Sequence, residues 1–241
     1  MAYVGDGRLV AAPEVRAYLD AVFTPGSRMG VRRGDPLTFV EVVEVARVTS
    51  IRVPSGRLVV DTPWLEDEDG EPRELAVRIP PGSYGVDAAW TEAPYEFMGE
   101  HFSGREVAAT RLCVREGTVA VWEMGLAAGD DIERLCQGDE VGFNTDTSTG
   151  SFADATAWPA LTAPFRKFWE RCRTAPGTLV SRDTESMGGG EFEMVRDEAR
   201  GADLITFSAT EGLSVAWLGR TEDGELSSIV VMGHMGMEAL A

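Results

Sequence analysis

Histidine, lysine and cysteine are scarce in this chain of 241 residues. It has two histidines, one lysine (Lys167) and three cysteines, and no cysteines form a CxxC pair. Three widely spaced cysteines provide neither a disulfide framework nor a zinc site, which favours a reducing compartment. With so few histidines and no GxSxG motif, we do not expect a Ser-His-Asp hydrolase.

Long apolar runs are also missing, and no run approaches the length of a membrane-spanning helix. Residues 1–9 lack the basic and apolar segments that begin a secretory signal. Neither a phosphate-binding GxxxxGK[ST] loop nor a strand-GxGxxG-helix pattern is present. These absences lead us to expect a cytoplasmic protein that does not insert into a membrane.

Acidic side chains outnumber basic ones by a wide margin, 40 against 22, which gives a formal net charge of −18. Such a charge repels the phosphates of nucleic acids and anionic lipids, and it accelerates encounter with a basic partner. We therefore expect no nucleic-acid partner and no membrane partner. Solubility alone is the simpler explanation of this charge.

The spacing of apolar residues predicts short strands and two helical segments. Residues 13–23 have helical spacing after Pro13, and residues 158–172 carry a wide apolar stripe interrupted by Pro159 and Pro164. Thr162 is a candidate N-cap for the longer part of this second helix. Strands are predicted at residues 37–45, 57–61, 75–79, 83–90, 106–115, 118–124, 204–208, 213–219 and 226–232.

Tight turns join most of these strands, and strands do not alternate with helices. Pro81-Gly82 suits a type II turn, and hairpins are predicted around Glu116-Gly117 and Asp223-Gly224. The pattern predicts a single α+β domain over residues 1–241, mostly antiparallel sheet built from hairpins and meanders. A short N-terminal helix and one longer amphipathic helix are expected to pack on the sheet.

Residues 142–155 combine two carboxylates, several hydroxyls and two glycines directly before the second helix. If a compact turn brings Asp146 and Asp154 together, the pair can hold a divalent cation or divide acid and base roles. The alternative assigns Asp146 to a backbone turn and Asp154 to the N-cap of the helix. Candidate binding hydroxyls beside them belong to Thr147, Ser148 and Thr149.

Two further carboxylates are candidates for a site. Glu123 lies in a predicted strand with apolar neighbours, and an inward carboxylate needs either a partner or a shifted pKa. It is therefore a candidate base, and the alternative is an ion pair with an arginine such as Arg111. Glu211 lies in a predicted turn and is a candidate binding residue.

Several segments together resemble the bacterial domain-of-unknown-function family 4241. They are residues 54–63, 80–86, 108–112, 121–123, 142–155 and 207–225. The resemblance covers most of the chain after about residue 50 and implies one domain, without implying a chemistry. This chain departs from the family pattern at residues 145–148 and 210–212, where the family favours Val-Asp-Ala-Gly and Gly-Asp-Gly.

Two functions remain open from the sequence. The first is an acidic binding or accessory module, immunity-like, that engages a basic protein partner. The second is a small-molecule-binding protein or a carboxylate-dependent enzyme whose site lies at residues 142–155, with a divalent cation as its candidate cofactor. Asp146 and Glu123 are the candidate catalytic residues of the second function, and the sequence requires no metal or cofactor.

Overall fold

A computed structural model describes residues 2–5, 8–31, 38–64, 71–133, 141–145, 147–175, 181–233 and 237–239. In these ranges the helices are α1 (Pro13–Ala21), α2 (Trp158–Leu161) and α3 (Ala163–Thr174). The strands are β1 (Ala2–Gly5), β2 (Arg8–Ala11), β3 (Arg28–Val31), β4 (Thr38–Val53), β5 (Arg57–Asp61), β6 (Glu74–Arg78), β7 (Gly82–Glu92), β8 (Tyr95–Phe97), β9 (Glu100–Phe102), β10 (Arg105–Cys113), β11 (Val121–Met124), β12 (Phe143–Thr145), β13 (Thr149–Asp154), β14 (Glu185–Met187), β15 (Phe192–Asp197), β16 (Ala202–Ser208), β17 (Gly212–Ser214), β18 (Ala216–Arg220), β19 (Leu226–Met232) and β20 (Met237–Ala239).

These strands form two antiparallel sheets and two short strand pairs. The larger sheet has the order β1-β2-β11-β18-β19-β10-β7-β4-β3-β20, and the smaller sheet has the order β14-β15-β16-β13-β5-β6. The pairs β8-β9 and β12-β17 stand apart from both sheets. The predicted α+β class, mostly antiparallel sheet with a short first helix and a longer amphipathic one, is confirmed.

The two sheets pack face to face through alternate residues of their central strands. The faces that meet bury one large apolar cluster, which includes Val86 and Ile229 from the larger sheet and Phe152 and Phe207 from the smaller one. Because successive strand side chains point to opposite faces, the intervening residues face outward and need a second cover. Helices provide that cover on both sides.

Helix α1 covers the outer face of the larger sheet. Tyr18 and Leu19 pack there against Ala109 and Val230, and the Tyr18 hydroxyl donates a 2.8 Å hydrogen bond to the carbonyl oxygen of Ala108. The helix contacts both β2 and β20, which lie near opposite ends of the strand order. The larger sheet therefore curls around α1.

Helices α2 and α3 cover the outer face of the smaller sheet. Trp158, Leu161 and Phe165 pack there against Val59 and Leu204. The predicted break between a short turn and a longer helix is confirmed, although the Thr162 hydroxyl donates to the carbonyl of Trp158 and does not cap α3. No helix in the described ranges is long and apolar enough to cross a membrane.

The hairpin predicted around Glu116-Gly117 is wrong. Strand β10 pairs with β7 and β19, whereas β11 pairs with β18 and β2. The turn at Pro81-Gly82 likewise joins β6 of the smaller sheet to β7 of the larger one. In both cases the strands before and after the turn do not pair with each other. Contacts with other strands, which the local sequence does not reveal, determine the pairing. The hairpin around Asp223-Gly224 is confirmed by the antiparallel pair β18-β19.

Candidate functional site

Residues 142–155 do not form one loop in front of a helix. They include β12 and β13, and β13 lies in the middle of the smaller sheet between β16 and β5. Strand β13 separates Thr149 from Asp154 by about 16 Å at the usual rise per residue. The predicted site is therefore divided between the two ends of a strand. Asp146, the other carboxylate of the predicted pair, lies outside the described residues.

Asp154 is fully buried and caps the 3-10 turn that leads into α2. One carboxylate oxygen accepts hydrogen bonds from the backbone N–H and hydroxyl of Thr156, at 2.8 and 2.5 Å, and the other accepts from the same groups of Ser55, at 2.9 and 2.7 Å. Burial acts to raise the pKa of Asp154, but these hydrogen bonds outweigh it and lower the pKa. The alternative N-cap role predicted for Asp154 is therefore confirmed.

Thr147, Ser148 and Thr149 line a pocket of about 300 Å³ at the other end of β13, and we call it the hydroxyl pocket. Its lining also includes the hydroxyl residues Thr206 and Ser208, the aromatic residues Trp64, Phe165 and Phe207, and Arg182, Glu191, Glu193 and Gly190. Ser148 has a φ of 51°, an uncommon backbone conformation for a residue other than glycine. Three of the predicted binding residues thus share one polar pocket.

Charged groups in the hydroxyl pocket are held in place by aromatic rings and by each other. The Arg182 guanidinium donates to Glu193, and its carbon lies 5.1 Å from the centre of the Trp64 ring. The Thr184 hydroxyl donates a 3.0 Å hydrogen bond to the same glutamate. Since these partners fix the Glu193 carboxylate, the pocket presents hydroxyls around an oriented ion pair.

Glu211 is exposed in the turn before β17. Its neighbour Gly212 pairs with Thr145 across β12-β17, and the backbone N–H of Ala209 donates a 2.8 Å hydrogen bond to the carbonyl oxygen of Ser148. These contacts place the turn beside the segment that carries Thr147 and Ser148. Glu211 is not among the residues that line the hydroxyl pocket.

Glu123 lies in β11 of the larger sheet, whereas β13 belongs to the smaller sheet. Its buried carboxylate accepts one 2.6 Å hydrogen bond from Arg8 and another from the Nε atom of Arg220. Arg111, the partner suggested by the sequence, instead donates to Asp87. Both oxygens of Glu123 are therefore engaged by guanidinium groups.

An exposed hairpin formed by β8 and β9 was not predicted, and we call it the aromatic hairpin. Tyr95 and Phe102 are paired across it with their ring centres 5.1 Å apart, while Phe97 is 61% exposed and Met98 at its tip is 89% exposed. Alternation of aromatic and acidic residues around Met98-Gly99 is the sequence signal that indicates it. Four of the eight large apolar side chains that are exposed among the described residues lie in this one hairpin, so the group is unusual.

A second unpredicted feature is a cleft of about 800 Å³ between α1 and the larger sheet, and we call it the α1 cleft. Arg47, Gly85, Arg111, Cys113 and Trp122 line it from four different strands. No local sequence signal indicates it, because its residues are adjacent only after the sheet has formed.

Metal ligands do not cluster in the described part of the chain. No group of three or more histidine, cysteine, aspartate or glutamate side chains there has the geometry to hold a metal ion. Asp146 is outside that part, so its role as a ligand stays a prediction.

Comparison with known proteins gives a family and no close relative. No curated protein and no solved structure matches the chain. A family model described as "Protein of unknown function (DUF4241)" matches residues 51–231, and this range contains both sheets' central strands, the hydroxyl pocket and most of the α1 cleft. The resemblance expected from the sequence is thereby confirmed, and the chain belongs to the family DUF4241.

Proposed function

We propose that the protein is an acidic binding module that engages a basic protein partner through the aromatic hairpin. A single observation carries this proposal. Tyr95, Phe97 and Phe102 lie on one face of an exposed two-stranded ribbon, where alternation and cross-strand pairing place them together. Large apolar groups gathered on an exposed surface are typical of a protein-binding site.

Charge around the aromatic hairpin favours a basic partner. The hairpin and the adjoining ends of β4, β7 and β10 carry six glutamates, whereas the nearby arginines among the described residues are Arg28 and Arg105, and Arg105 pairs with Glu44 and Glu92. The glutamates are Glu41, Glu44, Glu92, Glu96, Glu100 and Glu106. An aromatic face surrounded by carboxylates matches a partner surface that is apolar in the centre and basic at the rim. An accessory, immunity-like role follows if binding blocks that basic surface.

Gly104 explains how the hairpin projects from the larger sheet. It has a φ of 58°, and a β-carbon built on it would overlap the carbonyl oxygen of Ala93. Its own carbonyl accepts a 3.1 Å hydrogen bond from the backbone N–H of Ala93. The two backbone segments therefore approach closely at Ala93 and Gly104, between the β7-β10 ladder and the hairpin. Beyond this point the hairpin is a separate element that exposes its aromatic face.

The test begins with capture from a lysate of the cells that make the protein, identification of the retained protein and its separate production. Its Kd for this chain is then measured at about 50 and about 300 mM NaCl. We expect a basic partner whose Kd rises at least tenfold with salt. Phe97→Ser should weaken binding by about 100-fold, or about 2.7 kcal/mol.

Trp169→Ser is the matched control, because Trp169 is an aromatic residue on α3, away from the hairpin, and is 51% exposed against 61% for Phe97. It should leave the Kd unchanged, and both variants should keep the wild-type melting temperature. A Phe97→Ser variant that binds as tightly as the wild type, or a Kd that does not change with salt, would refute the proposal.

A second candidate function is binding of a polar small molecule in the hydroxyl pocket, with Asp146 nearby in sequence. It is supported by five hydroxyl residues around the Arg182–Glu193 pair and the Trp64 ring, an arrangement suited to a polyhydroxy ligand. Calorimetric titration with glucose and with CaCl2 tests it. Thr149→Val should abolish glucose binding and Asp146→Asn should abolish calcium binding, and binding of neither probe by the wild type would dismiss it.

A further inference from the structure

The α1 cleft lies at the opposite end of the β7-β10 ladder from the aromatic hairpin. Gly85 lies near the start of β7, and the hairpin follows the end of β7 at Glu92, about 20 Å away at the usual rise per residue. The cleft volume of about 800 Å³ is within the range of small-molecule sites. A ligand in the α1 cleft would therefore not touch the aromatic hairpin, and any function of the cleft is separate from partner binding.

A buried carboxylate orients two arginines at the cleft. Asp87 accepts from the Nε atom of Arg47 on one oxygen, and on the other from Arg111 at 2.9 Å and from the Cys113 thiol at 3.1 Å. Burial acts to raise the pKa of Asp87, but the arginines and the thiol outweigh it and lower the pKa. Asp87 does not itself line the cleft, whereas both arginines do.

Further contacts fix the planes of both guanidinium groups. The carbon of the Arg111 guanidinium lies 4.2 Å from the centre of the Phe23 ring, a cation–π stack. The Arg47 guanidinium occupies the space that a β-carbon on Gly85 would fill. Because both side chains are held before any ligand arrives, little conformational entropy is lost on binding.

Donors remain available after these contacts are made. Asp87 engages one nitrogen of each guanidinium, and the Arg47 side chain is 52% exposed. The Arg111 side chain is 29% exposed, and its Nε atom is buried without a hydrogen-bond partner among the described residues. Two cationic groups face one shared carboxylate, so this part of the wall keeps a positive charge in a chain of strongly negative net charge.

Two carboxylates, Asp20 and Glu116, and a third arginine, Arg115, also line the cleft. Asp20 accepts a 2.7 Å hydrogen bond from the Trp122 indole, and Arg115 pairs with Glu225 at 3.0 Å. Phe23 and Trp122 add aromatic surface to the lining. The cleft thus combines oriented guanidinium donors with apolar rings.

We propose that the α1 cleft binds a small molecule that joins an oxyanion, carboxylate or phosphate, to a flat apolar body. Arg47 and Arg111 donate to the oxyanion, as guanidinium groups do to planar or tetrahedral anions. Phe23 and Trp122 contact the apolar body. Asp87 is a positioning residue, and Gly85 provides the space for Arg47.

Benzoate, phenyl phosphate and benzyl alcohol are matched probes, because they share the ring and differ in charge. Calorimetry and the NMR shift of the Trp122 indole N–H should show binding of benzoate or phenyl phosphate with a Kd of about 1 mM or below. Benzyl alcohol should bind at least tenfold more weakly. The tighter anionic probe identifies the class of ligand as carboxylate or phosphate.

Arg47→Gln should weaken anion binding at least tenfold, whereas Arg57→Gln, on the smaller sheet, should not change it. Two results with the wild-type protein would overturn the proposal: benzyl alcohol that binds as tightly as the anionic probes, or no binding of either anion up to about 20 mM. Phe97→Ser should leave probe binding unchanged, so failure here and failure of partner binding are separate results.

Discussion

Glu123 is a buried carboxylate that two arginines share. Its buried carboxylate is engaged by Arg8 and Arg220. Glu123→Gln should lower the free energy of unfolding by about 1–2 kcal/mol, because the amide loses a charge-assisted hydrogen bond, while Arg8, with 60% of its side chain exposed, stays hydrated. Urea denaturation measures this change. A variant of wild-type stability would return Glu123 to the list of catalytic candidates.

Asp154 supports a second prediction at this scale, on pH dependence. Asp154→Asn should lower the free energy of unfolding by about 2 kcal/mol at pH 7, because an amide cannot accept all four hydrogen bonds. The pKa of Asp154 is lowered in the folded state. The ionised group therefore stabilises the fold above the pKa of the unfolded chain, about 3.9, and this stabilisation is lost as pH falls through the folded pKa.

Denaturation curves of wild type and Asp154→Asn at several pH values check this sign. The difference between them should be constant from pH 7 to about pH 5 and should shrink below about pH 4. A difference that persists unchanged into strong acid would contradict the ionised role of Asp154.

Helix α3 has an apolar stripe that is wider than the face it buries. Phe165 is 1% exposed, whereas Trp169, one turn later, is 51% exposed. Phe165→Ala should therefore lower the free energy of unfolding by about 3–4 kcal/mol, and Trp169→Ala by less than about 1 kcal/mol. Chemical denaturation compares the two. Similar losses for both variants would mean that α3 packs with another face.

Strands and helices themselves were largely predictable, because alternation and helical spacing are local properties. Residues 57–61 and 226–232 are strands as expected, and α1 begins at Pro13 as expected. Strand β13 was missed, because its sequence of small and polar residues, with one large apolar residue at Phe152, is typical of a loop. Its burial between β16 and β5 overrides that local preference.

At the scale of the whole molecule, shared strands link the three apolar clusters. Val59 faces α2 and α3, while Leu58 and Val60 face the other sheet; Ala88 and Ala89 divide in the same way between the central cluster and α1. No layer can lose its packing without exposing the next. We therefore expect the chain to unfold as one cooperative unit, in agreement with the predicted single domain.

Calorimetry and circular dichroism test this expectation. The calorimetric and van't Hoff enthalpies should agree, and near-UV and far-UV signals should change at one temperature. Two separated transitions would divide the chain into independent units and refute the single domain.

The sequence by itself determined the fold class, the family and the acidic charge, because these depend on local periodicity and on composition. It also indicated three hydroxyl residues that share a pocket. Only the tertiary structure decided strand pairing, the separation of Asp154 from the hydroxyl pocket and the meeting of Arg47 with Arg111 around Asp87. Those features depend on contacts between residues far apart in the chain. Side-chain packing between the sheets selects these contacts, and local sequence patterns do not encode them.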